Sequence, residues 1–589
     1  MKVAYLITVR LKSTRLPQKA LRLVAGRPIL AHQIDRVKQV SRADEIVVCT
    51  STHPQDDPLE ALARDEGVSC FRGDADDVLV RLQEAATRAD ADYVLNITGD
   101  CPFVDPQYAD RVVNAFERTN ADLIRAFDLP HGAFSYGIKP AALAKAIEIK
   151  DDTETSAWGR YFTDTDLFDL IDLDVDPRHR RPELRMTLDY PEDLAFVEAV
   201  FAALHRPDST FSLDDIIEFL DAHPEVVALN EQCGAWYRDR FAAESSIRLK
   251  PRYPVNRIAI VGCGSIGQRH ARNLRRLGVE EVIACRSGRG VTRELDTELD
   301  VREVESLDAL VKAKPDAAII SNPTSLHVKA ALSLIPHVKG LFIEKPIAES
   351  LPAAQCLLKA VAQARVVSFV GYNLQFHPAI EQLMSLRREL GRALVFQCQV
   401  GQWLPDWHPT EDYRQAYFAR RDLGGGMIRT LSHELHLAIE LLGPARHVHA
   451  TVTPYDSLSA DVDLIADLQV QHASGSVSQV HLDAVQRTAH RTGVLSAEQG
   501  WLRYDLVQPS LIKQSTVDRQ PVTAWNGAGF DSNDPYLAEM SAFLQYVREG
   551  RVRHAHDVWR GMTTMALIQG ALKSAASGQT AAVSAEAAR

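Results

Sequence analysis

Residues 257–267 read Arg257-Ile258-Ala259-Ile260-Val261-Gly262-Cys263-Gly264-Ser265-Ile266-Gly267. A short apolar run passes straight into Gly-x-Gly-x-x-Gly, and a polar stretch with helical spacing begins near Gln268. A strand, a glycine turn and a helix start in that order form a cradle for a pyrophosphate. The glycines allow the tight turn and the close approach, and the unpaired N–H groups of the helix start attract the anion. The stretch therefore predicts a dinucleotide-binding βαβ unit, with Gly262, Gly264, Ser265, Ile266 and Gly267 around the phosphates.

Working outward toward the C-terminus, the alternation of strand and helix continues. Val282–Cys285, Ala317–Ser321, Gly340–Glu344 and Val366–Gly371 read as strands. The second of these dinucleotide strands ends Cys285-Arg286-Ser287-Gly288-Arg289, where an NAD site usually carries an acid. Arg286 and Ser287 suit a 2′-phosphate instead, which favours NADP over NAD. Ser321-Asn322-Pro323-Thr324-Ser325-Leu326-His327 follows another strand, and Glu344-Lys345-Pro346 ends the next. A lysine there can hydrogen-bond or protonate a reacting oxygen. Gly424-Gly425-Gly426 opens what reads as one long helix toward Leu442, and Pro535–Arg548 and His556–Ser577 also read as helices.

Toward the N-terminus, residues 246–254 carry two prolines and no periodicity, and are expected to be a linker. Before them the alternation appears a first time. Val3–Val9, Glu45–Thr50 and Tyr93–Ile97 read as strands; Ile29–Val40, Leu59–Glu66, Asp77–Ala89 and Leu213–Ala222 read as helices. A mostly parallel sheet is expected. The loop Arg10-Leu11-Lys12-Ser13-Thr14-Arg15-Leu16-Pro17-Gln18-Lys19 places four cations and two hydroxyls at the end of the first strand, where open α/β sheets bind ligands. Such cations can neutralise a triphosphate and the pyrophosphate that leaves it. Asp100, at the end of Tyr93–Ile97, and Asp189, just before a helix, could join triphosphate oxygens in a Mg²⁺ site. Either aspartate alone is as well explained by a turn or a helix cap.

The 589 residues predict about three to five domains at roughly 100–200 residues each. A net charge of -12 argues against a nucleic-acid surface. No apolar run approaches the roughly 18 residues of a membrane span, so no membrane partner and a cytoplasmic location are expected. The eight cysteines form no CxxC pair, which indicates neither a disulfide framework nor a zinc site.

In its first 240 residues or so the chain resembles the cytidylyltransferases that activate acidic sugars, of the spore-coat-polysaccharide type. The resemblance rests on the Arg10–Lys19 loop, on Gly99-Asp100-Cys101-Pro102-Phe103-Val104-Asp105-Pro106, on Arg185-Met186-Thr187-Leu188-Asp189-Tyr190-Pro191-Glu192-Asp193-Leu194, and on Arg72-Gly73 through Val78-Leu79. It implies that Arg10, Ser13, Arg15, Lys19 and Arg72 hold the nucleotide and that Asp100 and Asp189 hold Mg²⁺. Arg15 and Lys19 are expected at the reacting phosphate. CTP is the expected substrate, with GTP and UTP open.

From 255 onward the chain resembles the Gfo/Idh/MocA oxidoreductases. Added to the dinucleotide motif, Glu344-Lys345-Pro346, Gly371-Tyr372-Asn373-Leu374-Gln375-Phe376-His377-Pro378 and Gly424-Gly425-Gly426 through Ser432-His433-Glu434-Leu435-His436 carry this match. It implies Lys345 and His433 as the catalytic pair, with Asn322, His327 and Glu344 near the cofactor. The chain departs from the family at Arg429 or Thr430, where an acid is common, at Gln375 for arginine and at His436 for aspartate. An unusual or anionic substrate is one consequence to expect.

The expected architecture is α/β throughout. It comprises a Rossmann-like nucleotidyltransferase domain (1–245), the linker (246–254), a Rossmann NAD(P)-binding domain (255–375) and an open-sheet α/β domain with C-terminal helices (376–589). The last is expected to bind substrate and to make a homo-oligomer. The expected function is sugar activation by nucleotidyl transfer, fused to NAD(P)-dependent sugar oxidoreduction, for a surface polysaccharide. Two variants stay open: reduction of a ketose phosphate followed by CDP-polyol formation, or a CMP ester of an ulosonic acid. A chain with one catalytic half and one scaffold or regulatory half also stays open.

Overall fold

Strand β1 (Val3–Thr8) is buried at every position. Val3, Tyr5 and Ile7 point into one core while Ala4 and Leu6 point into another, because side chains alternate along a strand. A strand covered on both faces needs apolar residues throughout, which is why it reads as an unbroken run. β1 lies between β2 (Glu45–Ser51) and β4 (Tyr93–Thr98), parallel to both, and β3 (Ser69–Gly73) extends the parallel set beyond β2. On the other side the sheet changes sense. β5 (Leu123–Arg125) and β6 (Tyr136–Ile138) are antiparallel to each other, β6 is antiparallel to β4, and β7 (Leu170–Asp172) completes the order β3-β2-β1-β4-β6-β5-β7. These three short strands carry no sequence signal of the kind that marks β1.

The computed structural model describes the chain except for residues 13–14, 208, 235, 238–246, 287, 289–298, 410, 518–519 and 584–589. It divides into two units, Met1–Lys250 and Pro251–Arg589. The first half of the expected linker is not free chain. Ile247 and Leu249 are buried against the core of the first unit, and Lys250 N–H donates to the carbonyl of Ile149 at 2.9 Å.

In the second unit six parallel strands follow the expected dinucleotide order. β8 (Arg257–Val261) is central, with β9 (Glu281–Cys285) and β10 (Arg302–Val304) on one side and β11 (Ala317–Ile320), β12 (Gly340–Glu344) and β13 (Val367–Gly371) on the other. Beyond it is a nine-stranded, largely antiparallel sheet built from residues 393–525 and closed at one edge by Ala581–Ala582. Its strands alternate, as in Ile465–His472, where Leu468 and Val470 are buried and Asp467, Gln469 and Gln471 are exposed.

Two expectations for this unit change. The helix Asp534–Glu549, assigned with 376–589, packs on the dinucleotide sheet, where Met540, Phe543, Leu544 and Val547 join Phe342 and Phe369. The returning helix covers the β12–β13 part of a face whose β8–β9 part is covered by the helix Ser265–Arg276. The long helix expected after Gly426 is broken into Met427–Thr430 and His433–Leu442. Among the described residues no helix is long and apolar enough to cross a membrane.

Candidate functional site

The ends of β1 and β4 are brought together by Gly99: a Cβ there would lie 2.6 Å from the Cβ of Val9. This close approach sets Asp100 beside the loop that follows β1. Buried Asp56 accepts from the backbone N–H of Leu11 at 2.8 Å and pins the loop. Lys19, at the loop's far end, reaches both aspartates: Nζ is 2.5 Å from Asp100 Oδ2 and 2.9 Å from Asp189 Oδ1. Arg15 Nη2 lies 2.9 Å from the same Asp189 oxygen. Leu188 N–H donates to the Asp100 carbonyl at 2.9 Å, so the two carboxylates are also coupled through the backbone.

The electrostatics follow from this packing. Burial alone would lower the pKa of Lys19, but Asp100 and Asp189 outweigh it and hold the ammonium charged well above its usual range. Burial alone would raise the Asp189 carboxyl, but Lys19, Arg185 and Arg15 hold it well below the usual carboxylate range. The result is a charged ammonium held between two carboxylates. Their hard oxygens suit a divalent cation whose remaining ligands come from phosphates.

Of the other expected nucleotide residues, Arg10 stands at the loop's start and is tied to Asp76 at 3.0 Å and to the carbonyl of Ala75. Arg72 is not brought to the aspartates. Its guanidinium is engaged by Asp57 (2.7 Å), Glu60 (3.0 Å) and the carbonyls of Ser51 and His53. Ser13 lies outside the described residues. Sequence reasoning missed Arg185, Asp193 and Asn230, which form a buried network behind Asp189. The spacing of Arg185, Asp189 and Asp193 at four-residue intervals was the available signal.

In the second unit Gly262 has φ 90°, and a Cβ on it would sit 2.5 Å from the backbone nitrogen of Asn322. A Cβ on Gly267 would overlap the Gly262 carbonyl oxygen, so the helix Ser265–Arg276 packs directly on the turn. The cradle that a dinucleotide requires is thus present. At its rim Arg286 pairs with Glu303 of the neighbouring strand at 3.4 Å, while Ser287 lies outside the described residues. Asn322 Oδ1 is buried without a hydrogen-bond partner in the protein. His327, expected at the cofactor, is buried between two backbone carbonyls. Nε2 is 2.8 Å from the Asn322 carbonyl oxygen and Nδ1 3.0 Å from that of Pro346. Glu344 is likewise tied to the dinucleotide helix, 2.7 Å from Nε2 of buried His270.

Lys345 Nζ donates to the carbonyl of Thr430 at 2.7 Å. That carbonyl is available because the helix breaks there; in an unbroken helix it would accept from the N–H four residues on. Burial lowers the Lys345 pKa, with Glu344 only partly opposing it. His433 is buried with Nδ1 unpartnered, and burial, reinforced by Lys345 and Arg491, keeps its ring neutral. Arg491 in turn is clamped on both oxygens of Glu434 at 2.7 and 3.1 Å.

The family departures prove to be mutually compatible. Gln375 and His436 face each other at 2.8 Å, and His436 stacks on Tyr372 with ring centroids 3.8 Å apart. Gln375 also meets His556 at 2.6 Å, and His436 meets Thr564 at 3.0 Å. Burial keeps His436 neutral, with its pKa pushed down to about 3. A neutral amide–imidazole pair thus stands where the family pattern has an arginine and an aspartate. Thr430 supplies its carbonyl rather than a carboxylate to Lys345. Arg429 has no place beside them: it lies toward the Gly425 carbonyl at 3.5 Å and toward Asp463.

The cytidylyltransferase family model matches residues 4–198. The oxidoreductase family model with the NAD-binding Rossmann fold matches 256–372, and the GFO/IDH/MocA C-terminal domain matches 384–503. The chain joins a cytidylyltransferase to a Gfo/Idh/MocA oxidoreductase. The cytidylyltransferase part is similar to the spore coat polysaccharide biosynthesis protein SpsF of Bacillus subtilis, 28% identical over 237 residues, covering 39% of this chain and 98% of that one. It is also similar to the 3-deoxy-manno-octulosonate cytidylyltransferase of Geobacter metallireducens, 32% identical over 114 residues, covering 19% of this chain and 44% of that protein. The oxidoreductase part is similar to scyllo-inositol 2-dehydrogenase (NAD(+)) of Bacillus subtilis, 24% identical over 323 residues, covering 51% and 89%. Its fold matches a levoglucosan dehydrogenase complexed with NADH and L-sorbose, with TM-score 0.50 and 16% identity over 56% of this chain and 98% of that one.

Proposed function

We propose that the cytidylyltransferase domain transfers CMP from CTP to an oxygen of an acidic sugar, releasing pyrophosphate, and that the oxidoreductase interconverts a sugar hydroxyl and a carbonyl with NAD(P), both serving surface-glycan synthesis. The observation that carries the first half is the convergence of Lys19 on Asp100 and Asp189. Asp100 and Asp189 would hold Mg²⁺, whose charge, when it is bound, would offset that of the triphosphate. Lys19 and Arg15 would exchange carboxylate partners for phosphate oxygens, so charge is already in place where pyrophosphate departs. Arg10 would add a contact after releasing Asp76. The acidic acceptor is inferred from the similarity to the octulosonate cytidylyltransferase.

In the oxidoreductase, NAD(P) when bound supplies or accepts the hydride. Its site fits: the glycine cradle admits a pyrophosphate, and the unpartnered Asn322 Oδ1 offers an acceptor at its edge. Lys345 hydrogen-bonds the reacting oxygen and trades its proton, and neutral His433 receives or returns that proton through Nδ1. Of the two cofactors we propose NADP, on Arg286; Glu303 competes with the 2′-phosphate for it.

The test is pyrophosphate release measured with each of four nucleoside triphosphates against a panel of ulosonic acids and sugar phosphates, in parallel with NADPH and NADH oxidation on the matching ketones. CTP with an ulosonic acid is expected to turn over. Release only with sugar phosphates would replace the acidic-sugar assignment, and no release with any triphosphate would remove the transferase assignment.

A further inference from the structure

The two oxygens of Asp189 have different neighbours. Oδ1 faces Lys19 and Arg15, each at 2.9 Å, whereas Oδ2 is taken by Arg185 Nη2 at 2.9 Å. Arg185 is itself held from behind. Its Nε is 2.9 Å from Asp193 Oδ1 and its Nη2 3.1 Å from Asp193 Oδ2. Asp193 is fully buried and also accepts from the backbone N–H groups of Asp189 (2.9 Å) and Tyr190 (3.0 Å). Asn230 closes the network: its Nδ2 donates to Asp193 Oδ1 at 3.0 Å and to the Arg185 carbonyl at 3.1 Å. The Tyr237 ring lies 5.2 Å from the guanidinium carbon.

A buried arginine between two carboxylates is a poor way to gain stability alone, because taking three charges out of water offsets most of their attraction. Capping the helix Pro191–Leu204 would need only the Asp193 side chain. What the arginine adds is orientation. A carboxylate can meet a cation with one oxygen or with two, and Mg²⁺ demands near-octahedral, one-oxygen contacts. With Oδ2 committed to a guanidinium, Asp189 presents Oδ1 alone.

We propose that Arg185, braced by Asp193 and Asn230, is a positioning residue that commits Asp189 to one-oxygen coordination of the metal–triphosphate. This rests on the nucleotidyl-transfer reading above. Lysine in its place keeps the charge but cannot bridge both carboxylates with a planar fork. The experiment uses the full chain, with Mn²⁺ as the probe, its free signal followed by electron paramagnetic resonance with CTP present. Arg185→Lys is expected to weaken Mn²⁺ binding by about 10–100-fold and to raise the Mg²⁺ concentration for half-maximal pyrophosphate release by the same factor. Asn230→Ala, which removes only the brace, is expected to shift both in the same direction by less. Wild-type Mn²⁺ affinity in whichever of these variants melts cooperatively overturns the proposal, because a merely structural role moves the melting temperature alone. A wild-type chain that binds no Mn²⁺ with CTP, and is indifferent to Asp100→Ala, overturns the nucleotidyl-transfer reading along with it.

Discussion

Two half-buried lysines, one in each unit, have pKa values shifted in opposite directions. Lys19 lies between two carboxylates and holds its proton more tightly than an ordinary lysine; Lys345 rests on a backbone carbonyl and holds its proton less tightly. Burial acts on both in the same sense, so the difference comes from their partners. A lysine that cannot lose its charge suits a site where phosphate charge must be met and kept. A lysine that can lose its charge suits a site where a proton must move with each hydride. In the proposed function the same side chain would serve as a fixed charge in one fold and as a proton carrier in the other.

The contrast can be broken by substitution. Lys345→Ala is expected to slow NAD(P)-dependent turnover by about 10²–10⁴-fold, the usual worth of a positioned acid or base, with pyrophosphate release unchanged. Lys19→Met is expected to do the reverse, lowering pyrophosphate release by about 10²–10³-fold while hydride transfer continues. A loss of both activities in either variant would mean that the charge roles are not local. The pH dependence sharpens the comparison. Because the Lys345 pKa is lowered, the oxidoreductase should gain hydroxyl-oxidation rate as pH rises through an ionisation that lies below the ordinary lysine value of 10.5. A limb at or above that value, or one that persists in Lys345→Ala, would assign the ionisation elsewhere.

Smaller effects test the substituted pair. His436→Asp alone buries a carboxylate opposite Gln375 and is expected to destabilise the oxidoreductase unit by about 3 kcal/mol, seen in the melting transition that NAD(P)H is expected to raise. Gln375→Arg added to it should recover most of that loss, since the pair couples through direct contact. Smallest is Glu303→Gln, expected to shift the NADP-to-NAD preference toward NADP by about two- to fivefold, the worth of an exposed ion pair, by removing the carboxylate beside Arg286. An unchanged ratio of the two kcat/KM values would take Arg286 out of cofactor choice.

Much of this was legible in the residues. Val3–Thr8 and Arg257–Val261 are buried on both faces, so their apolar runs announce strands, and the loops after them must be at the ligand edge. Lys19, Asp100 and Asp189 could be named for the same reason: each follows a recognisable strand or precedes a helix. The nine-stranded sheet was harder to read. Strands such as Ile465–His472 bury only every second residue, and their glutamine-rich outer face resembles loop composition.

Sequence by itself determined the two α/β units, the order of their motifs and the residue types at both sites, because strand burial and glycine turns are local properties. Only the tertiary structure decided how those residues are used. It returned Asp534–Glu549 to the dinucleotide sheet and broke the helix at Leu431-Ser432 so that the Thr430 carbonyl meets Lys345. It set His327 between two backbone carbonyls and put Arg185 behind Asp189. Each of these depends on which groups lie within about 3 Å across long stretches of chain, and a hydrogen bond or a pKa shift is set at that distance rather than by spacing along the sequence.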